Sequence, residues 1–244
     1  MKVAVLNLSG NVGKTVVANM LLTPRIPGMA GKQAYEFDLT NSGGEQNGAD
    51  VMKVSAKSFM NVIGDIMLED DAVLDIGASQ VETVLLALQE YNNSHEEIDY
   101  FVVPVTADIK IQNDTVRTIN ALKALGVPKE RILLLPNKCD NQKNALPIEE
   151  VFQFFHGLSI AEDSFVLNFD AAIYYNDFFE KVKGMDTTLA QMLADDTDYR
   201  ALRKSAHKAG DSEASFKYLR LHELQGLAPG VNAHLDSVFK SLFQ

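Results

Sequence analysis

The segment VAVLNLSGNVGKT, residues 3–15, constrains this chain more than any other stretch. An apolar, β-branched run leads into a turn in which Gly10 and Gly13 bracket Asn11 and Val12. Lys14 and Thr15 then open the helix-like VVANMLL. Strand, glycine turn and helix in that order aim several backbone N–H groups at one point beside a helix N-terminus, which is an anion cradle. Glycines let the backbone approach an oxygen without side-chain obstruction. In the general pattern G-x-x-x-x-G-K-[ST], the lysine reaches the β- and γ-phosphates and the hydroxyl ligates Mg²⁺. Gly13, Lys14 and Thr15 complete the end of that pattern, whereas Leu8 stands at its first glycine. Residues Ser9, Gly10, Asn11, Val12, Gly13, Lys14, Thr15 and Val16 are therefore the expected nucleotide-binding turn, with Thr15 on the metal.

The rest of the chain fits around such a turn. Apolar runs at 34–37, 72–76, 100–105, 131–135 and 165–169 are mostly continuous rather than alternating, as in strands buried on both faces. Helix-like segments at 56–67, 80–92, 112–125 and 147–156 separate them. This alternation predicts an α/β fold, a doubly wound and mostly parallel sheet flanked by helices, with ligands at the carboxyl ends of its strands. Beyond about residue 176 only helical patterns remain, at 177–194, 198–208, 213–227 and 231–243. The expected organisation is a nucleotide-binding core over 1–175 and a helical C-terminal extension over 176–244, packed on that core. The single cysteine, Cys139, excludes an internal disulfide, and the five histidines lack metal-ligand spacing. Lys2 leads straight into a strand, and no apolar run approaches the roughly 18–20 residues of a membrane span, so a cytoplasmic protein is expected.

Two further motifs fall at strand ends. AVLDIGAS, 72–79, places Asp75 where a carboxylate holds Mg²⁺ through water and Gly77 where an amide meets the γ-phosphate. RILLLPNKCD, 131–140, carries Asn137, Lys138 and Asp140 in the order N-K-x-D, the guanine-reading signature of GTPases.

SGNVGKT resembles the loop K-G-G-x-G-K-[ST] of the ParA/MinD class of ATPases, which segregate plasmids and position division machinery. The opening fifteen residues followed by LLTPR resemble the plasmid-stability StbB proteins within that class. The resemblance implies a P-loop ATPase using ATP and Mg²⁺, slow turnover, and a nucleotide-dependent homodimer. It also implies that an asparagine at the position of Asn137 contacts adenine, so ATP is the expected nucleotide and GTP the alternative. Within AYEFDLTNSGG, 34–44, it places Glu36 and Asp38 at the two acidic positions of the first switch, with Asp38 orienting the attacking water beside Lys14. Ser9 replaces the class's signature lysine and Asn11 its second glycine. That lysine crosses to a partner subunit's nucleotide; a serine hydroxyl is neutral and too short to follow. A GTPase switch, a nucleotide-binding adaptor that does not hydrolyse, and a dethiobiotin-synthetase-like enzyme are the rival readings.

A net charge of −11 argues against coating nucleic acid by bulk attraction. One local patch remains: Arg200, Arg203, Lys204 and Lys208 share a helix side, extended by Lys217 and Arg220. In ParA-like proteins C-terminal residues bind DNA without sequence preference, so these six are DNA-binding candidates, with a DNA-binding partner protein as the other expected associate. The terminal stripe Leu235, Val238, Phe239, Leu242 and Phe243 has only Lys240 as a cation, which favours core packing over a membrane.

Overall fold

The structure is a computed structural model that describes residues 1–29, 32, 34–37, 52–53, 59–90 and 94–244. Seven parallel strands form one sheet in the order β3-β2-β4-β1-β5-β6-β7. They are β1 (Lys2–Val5), β2 (Tyr35–Phe37), β3 (Met52–Lys53), β4 (Ala72–Ile76), β5 (Tyr100–Val105), β6 (Ile132–Pro136) and β7 (Val166–Leu167). All five residues of β4 and of β6 are buried, as their unbroken apolar sequences require. Along each strand side chains alternate between faces, so Ala4, Leu74, Phe101 and Leu134 join one apolar cluster and Val3, Val73, Val102 and Leu133 the other.

Ten helices cover these faces among the described residues. On the first face lie α2 (Phe59–Met67), α3 (Val81–Glu90), α4 (Ile109–Ala124), α5 (Ile148–Val151) and α6 (Gln153–Glu162). On the second lie α1 (Lys14–Val16, continuing as a π-helix over Val17–Leu22), α7 (Asp177–Lys181), α8 (Leu189–Ala194) and the 31-residue α10 (Ser212–Leu242). The helix α9 (Tyr199–Lys208) lies against α10 and buries only Tyr199. The terminal stripe is packed: Leu235, Val238 and Leu242 are buried with Val3 and Val5, and Phe239 and Phe243 are partly buried against the same cluster.

Several boundaries depart from the sequence pattern for local reasons. The helix α4 starts at 109 rather than 112 because Asp108 caps it, accepting from the amides of Lys110 and Ile111. The segment 147–156 is two helices, α5 and α6, separated at Phe152, whose ring is buried and whose backbone leaves helical geometry at φ −111°. The segment 177–194 likewise divides between α7 and α8 near Gly184, at φ +69°. Conversely, 213–227 and 231–243 are one helix running through Pro229. An interior proline costs a helix about 3 kcal/mol, and here Leu224, Ala228, Val231 and Leu235 bury one continuous face across it. The two-residue β3 has no counterpart in the sequence reading.

Candidate functional site

Parallel pairing aligns the strand ends that build the site. Val5, the last residue of β1, lies beside Asp75 of β4, and Asp75 lies beside Glu36 of β2. Beyond Val5 the chain turns over the carboxyl edge of the sheet and enters α1. There it borders a cavity of about 650 Å³, lined by Gly10–Val16 and by residues of the chain around α7.

The start of the loop is fastened to α4. The Asn7 side chain donates to the Pro104 carbonyl at 2.9 Å and to Thr115 Oγ1 at 2.7 Å, while its own oxygen accepts from the Ser9 amide at 2.8 Å. Leu8 N–H donates to Thr118 Oγ1 at 3.1 Å. Ser9 Oγ donates to Asp114 Oδ2 at 2.7 Å, and this bond, chiefly, holds the Asp114 carboxyl below the usual range. Ser9 is thus turned into α4 and does not line the cavity, contrary to its expected place in the nucleotide-binding set.

Further along, Asn11 and Gly13 take left-handed conformations at φ +59° and +84°. The Lys14 ammonium is buried within the turn, donating to the carbonyls of Ser9 at 2.8 Å and Asn7 at 3.1 Å. Asn137, at the end of β6, clamps the loop: its Nδ2 donates to the Val12 carbonyl at 2.7 Å and its Oδ1 accepts from the Lys138 amide at 2.8 Å. A Cβ on Gly13 would stand 2.4 Å from that Nδ2, so the clamp needs glycine there. The Asn137 amide nitrogen therefore serves the loop while its oxygen fixes the side chain to the next backbone amide, a role the sequence reading did not give it.

Lys138, at φ +54°, reaches the same loop, its Nζ donating to Asn11 O at 2.8 Å and Asn11 Oδ1 at 3.1 Å. Burial lowers its basicity, the nearby Lys183 lowers it further, and Glu180 opposes both. Asp140 is placed elsewhere. It is exposed, its carboxylate accepts from the Gln142 amide at 2.9 Å, and it does not line the cavity. Of the N-K-x-D run, Asn137 and Lys138 thus line the cavity and Asp140 does not. Cys139 between them is buried, and burial pushes its thiol up to about 12.

Thr15, Asp75 and Glu36 line the cavity together, Asp75 and Glu36 both nearly fully buried. Paired carboxylates and a hydroxyl are hard oxygen donors of the kind Mg²⁺ takes. Gly77 also lines the cavity, but its N–H donates to the Phe37 carbonyl at 2.7 Å, so the amide expected at the γ-phosphate is already bonded within the sheet. Asp38 lies outside the described residues.

Part of the lining had no counterpart in the sequence reading. Tyr174, Tyr175, Asn176 and Phe179 face the cavity, followed by Glu180 and Lys183. They are brought there by a parallel bridge between Cys139 and Tyr174, with Cys139 N–H donating to Ile173 O at 3.0 Å and Tyr175 N–H to Cys139 O at 2.8 Å. His234 of α10 supports the bridge by accepting from Tyr174 N–H at 3.3 Å.

Of the basic candidates, Arg203, Lys204, Lys208 and Lys217 are exposed. Arg200 Nε donates to His222 Nε2 at 3.1 Å. Arg220 turns inward, donating to the Lys181 carbonyl at 2.8 Å, so it does not belong to the outward basic face.

No protein-family model matches this chain, and no curated protein matches it. Among solved structures, McdA from Cyanothece is similar in fold at 13% identity, with a TM-score of 0.54 over 99% of this chain and 98% of that one. An ATP complex of a McdA variant (13% identity, 97% of this chain and 96% of that one, TM-score 0.44) and a Borrelia burgdorferi protein assigned to plasmid partition, bound to AMPPNP (12%, 92% and 97%, TM-score 0.46), are more distant. The chain therefore shares the fold of McdA, a parallel sheet flanked by helices.

Proposed function

We propose that this protein is a ParA/MinD-like P-loop ATPase switch acting in plasmid stability or partition. The observation that carries the reading is the cavity at the carboxyl edge of the sheet, where the Gly10–Val16 turn, the Lys14 ammonium and the Asp75–Glu36 pair converge. Backbone amides of the turn and Lys14 grip the phosphates, and Asn137 and Lys138 hold the turn in shape. The aromatic wall at Tyr174, Tyr175 and Phe179 packs against the base. ATP is favoured over GTP because Asp140, the carboxylate a guanine reader needs, lies outside the cavity.

Thr15, Asp75 and Glu36 are the residues that would hold Mg²⁺, whose charge offsets that of the β- and γ-phosphates. Asp38, directly after β2, is proposed to orient the attacking water, with Lys14 countering the charge that develops. Nucleotide occupancy then alters association with a second copy, with a DNA-binding partner protein, or with DNA itself through Arg203, Lys204, Lys208 and Lys217. The resemblance of LLTPR and the opening residues to StbB proteins supports the plasmid-stability assignment.

Calorimetric titration with Mg·ATP and Mg·GTP, repeated on Lys14→Ala, tests the reading. Tight ATP binding that the substitution removes is expected, and equal binding by the variant would sink it. A second reading, a nucleotide-binding adaptor without hydrolysis, is favoured by the Ser9–Asp114 hydrogen bond, which directs Ser9 away from any nucleotide. Phosphate release indistinguishable from buffer, with nucleotide bound and DNA supplied, would select that second reading.

A further inference from the structure

Two of the lysines that line the cavity come from unrelated parts of the chain. Lys138 follows β6 and its ammonium rests on Asn11 of the phosphate turn. Lys183 follows α7 and also lines the cavity, and its Nζ donates to both carboxylate oxygens of Glu180, at 2.8 and 2.9 Å. We propose that Lys183 is a nucleotide-binding residue, its ammonium contacting the polyphosphate jointly with Lys138. The inference rests on the reading of this cavity as a nucleotide site and adds a residue to it.

Three observations carry it. The first is position: Lys183 lines the same cavity as Gly10–Val16. The second is charge. Two ammonium groups converging on one space repel each other, and the repulsion is felt at Lys138, whose basicity Lys183 lowers. An anion placed between them turns that repulsion into two attractions. Glu180 holds the ammonium at the wall as an exchangeable partner, since both residues are about half exposed and an ion pair of that kind is weak.

The third observation is rigidity. The helix α7 is capped by Asn176, whose side chain accepts from Phe178 N–H at 2.9 Å, and the Phe178 ring is fully buried beneath it. Its outer side is tied to α10 by the Lys181–Glu223 ion pair at 2.7 Å and by Arg220, which donates to the Lys181 carbonyl at 2.8 Å. The backbone that carries Lys183 is therefore fixed before any ligand arrives, and only the side chain must turn.

The test is calorimetric titration of the full chain with Mg·ATP, Mg·ADP and adenosine, at low and at high salt. Wild type is compared with Lys183→Met, Lys183→Arg, Glu180→Gln and Lys14→Ala. Lys183→Met is expected to weaken Mg·ATP and Mg·ADP about 5- to 20-fold and to flatten the salt dependence, leaving adenosine unchanged. Lys183→Arg should restore most of the loss, and Glu180→Gln should tighten both phosphorylated ligands by releasing the ammonium. Glu180→Gln alone decides the matter should Lys183→Met not fold, since weaker or unaltered binding there contradicts an exchangeable partner. If Lys14→Ala abolishes binding while Lys183→Met binds Mg·ATP within about twofold of wild type, this proposal is wrong and the nucleotide site stands. If Lys183→Met weakens adenosine as much as ATP, the residue only shapes the wall and the proposal is again wrong. If wild type binds none of the three, the site reading fails and takes Lys183 with it.

Discussion

Arg25, the last residue of LLTPR, joins the end of the phosphate-loop helix to the C-terminal helix, and its removal has a calculable cost. Its guanidinium makes five hydrogen bonds. Nε donates to Asp236 at 2.8 Å, one terminal nitrogen to the carbonyls of Met20 and Leu21 at 2.7 and 3.2 Å, and the other to Asn232 O and Oδ1 at 3.1 and 2.8 Å. The side chain is 8% exposed while Asp236 is 48% exposed. Burial, the largest influence, lowers the basicity of the guanidinium, and Asp236 pushes it back up. Four bonds to neutral acceptors contribute about 0.5–1.5 kcal/mol each before allowing for two pairs that share a nitrogen. The pair with half-exposed Asp236 adds about 0.5 kcal/mol. Arg25→Met keeps the stem and removes the fork, so it should cost about 3 kcal/mol, which for a chain of this size lowers Tm by about 6–12 °C. Urea unfolding gives the free energy directly. Arg25→Lys should recover less than half, because one ammonium cannot span Met20, Asn232 and Asp236 together. A loss under about 1 kcal/mol for Arg25→Met, or full stability for Arg25→Lys, refutes the view that the fork binds the two helices.

Other outcomes follow from the site. Gly13→Ala should abolish Mg·ATP binding and lower Tm, because its Cβ would stand 2.4 Å from Asn137 Nδ2 at φ +84°; binding within about twofold of wild type contradicts the clamp. His234 has a lowered basicity, chiefly from burial, and its Nε2 accepts from Tyr174 N–H. Below the ordinary histidine value near 6.5 the unfolded chain therefore holds more protons than the folded one, and stability should fall as pH drops from about 6.5 toward the folded value. Urea titrations from about pH 5 to 7.5 should show this slope diminished in His234→Gln; an unchanged slope excludes His234 as its source. Cys139, raised to about 12 and buried, should resist a thiol reagent in the native state and react at once in urea; rapid native labelling would contradict its burial.

What the residue order revealed was local, and what it concealed depends on tertiary placement. The apolar runs 72–76 and 131–135 announce themselves as strands because both faces are buried, and Gly13-Lys14-Thr15 after a strand announces the turn that borders the cavity. Nothing local distinguishes Tyr174 or Phe179 from core aromatics, since they meet the cavity only through the bridge between Cys139 and Tyr174. Asp140 satisfied a four-residue pattern, yet its carboxylate caps a turn at Gln142 instead of entering the site. Ser9 resembled the first position of a binding loop, but Asp114, 105 residues away, takes its hydroxyl. Pro229 looked like a helix boundary until the buried face from Leu224 to Leu235 outweighed its cost.

The union of Arg25 with Asp236 spans 211 residues of chain. Val3 and Val5 share one apolar cluster with Val17 and Leu21, close by in sequence, and with Leu235 and Val238, so that face is fully covered only once the later residues have been synthesised. During translation the nascent amino-terminal half thus carries an incompletely covered apolar face. Premature termination anywhere before that last helix should yield an aggregation-prone fragment rather than a smaller working protein.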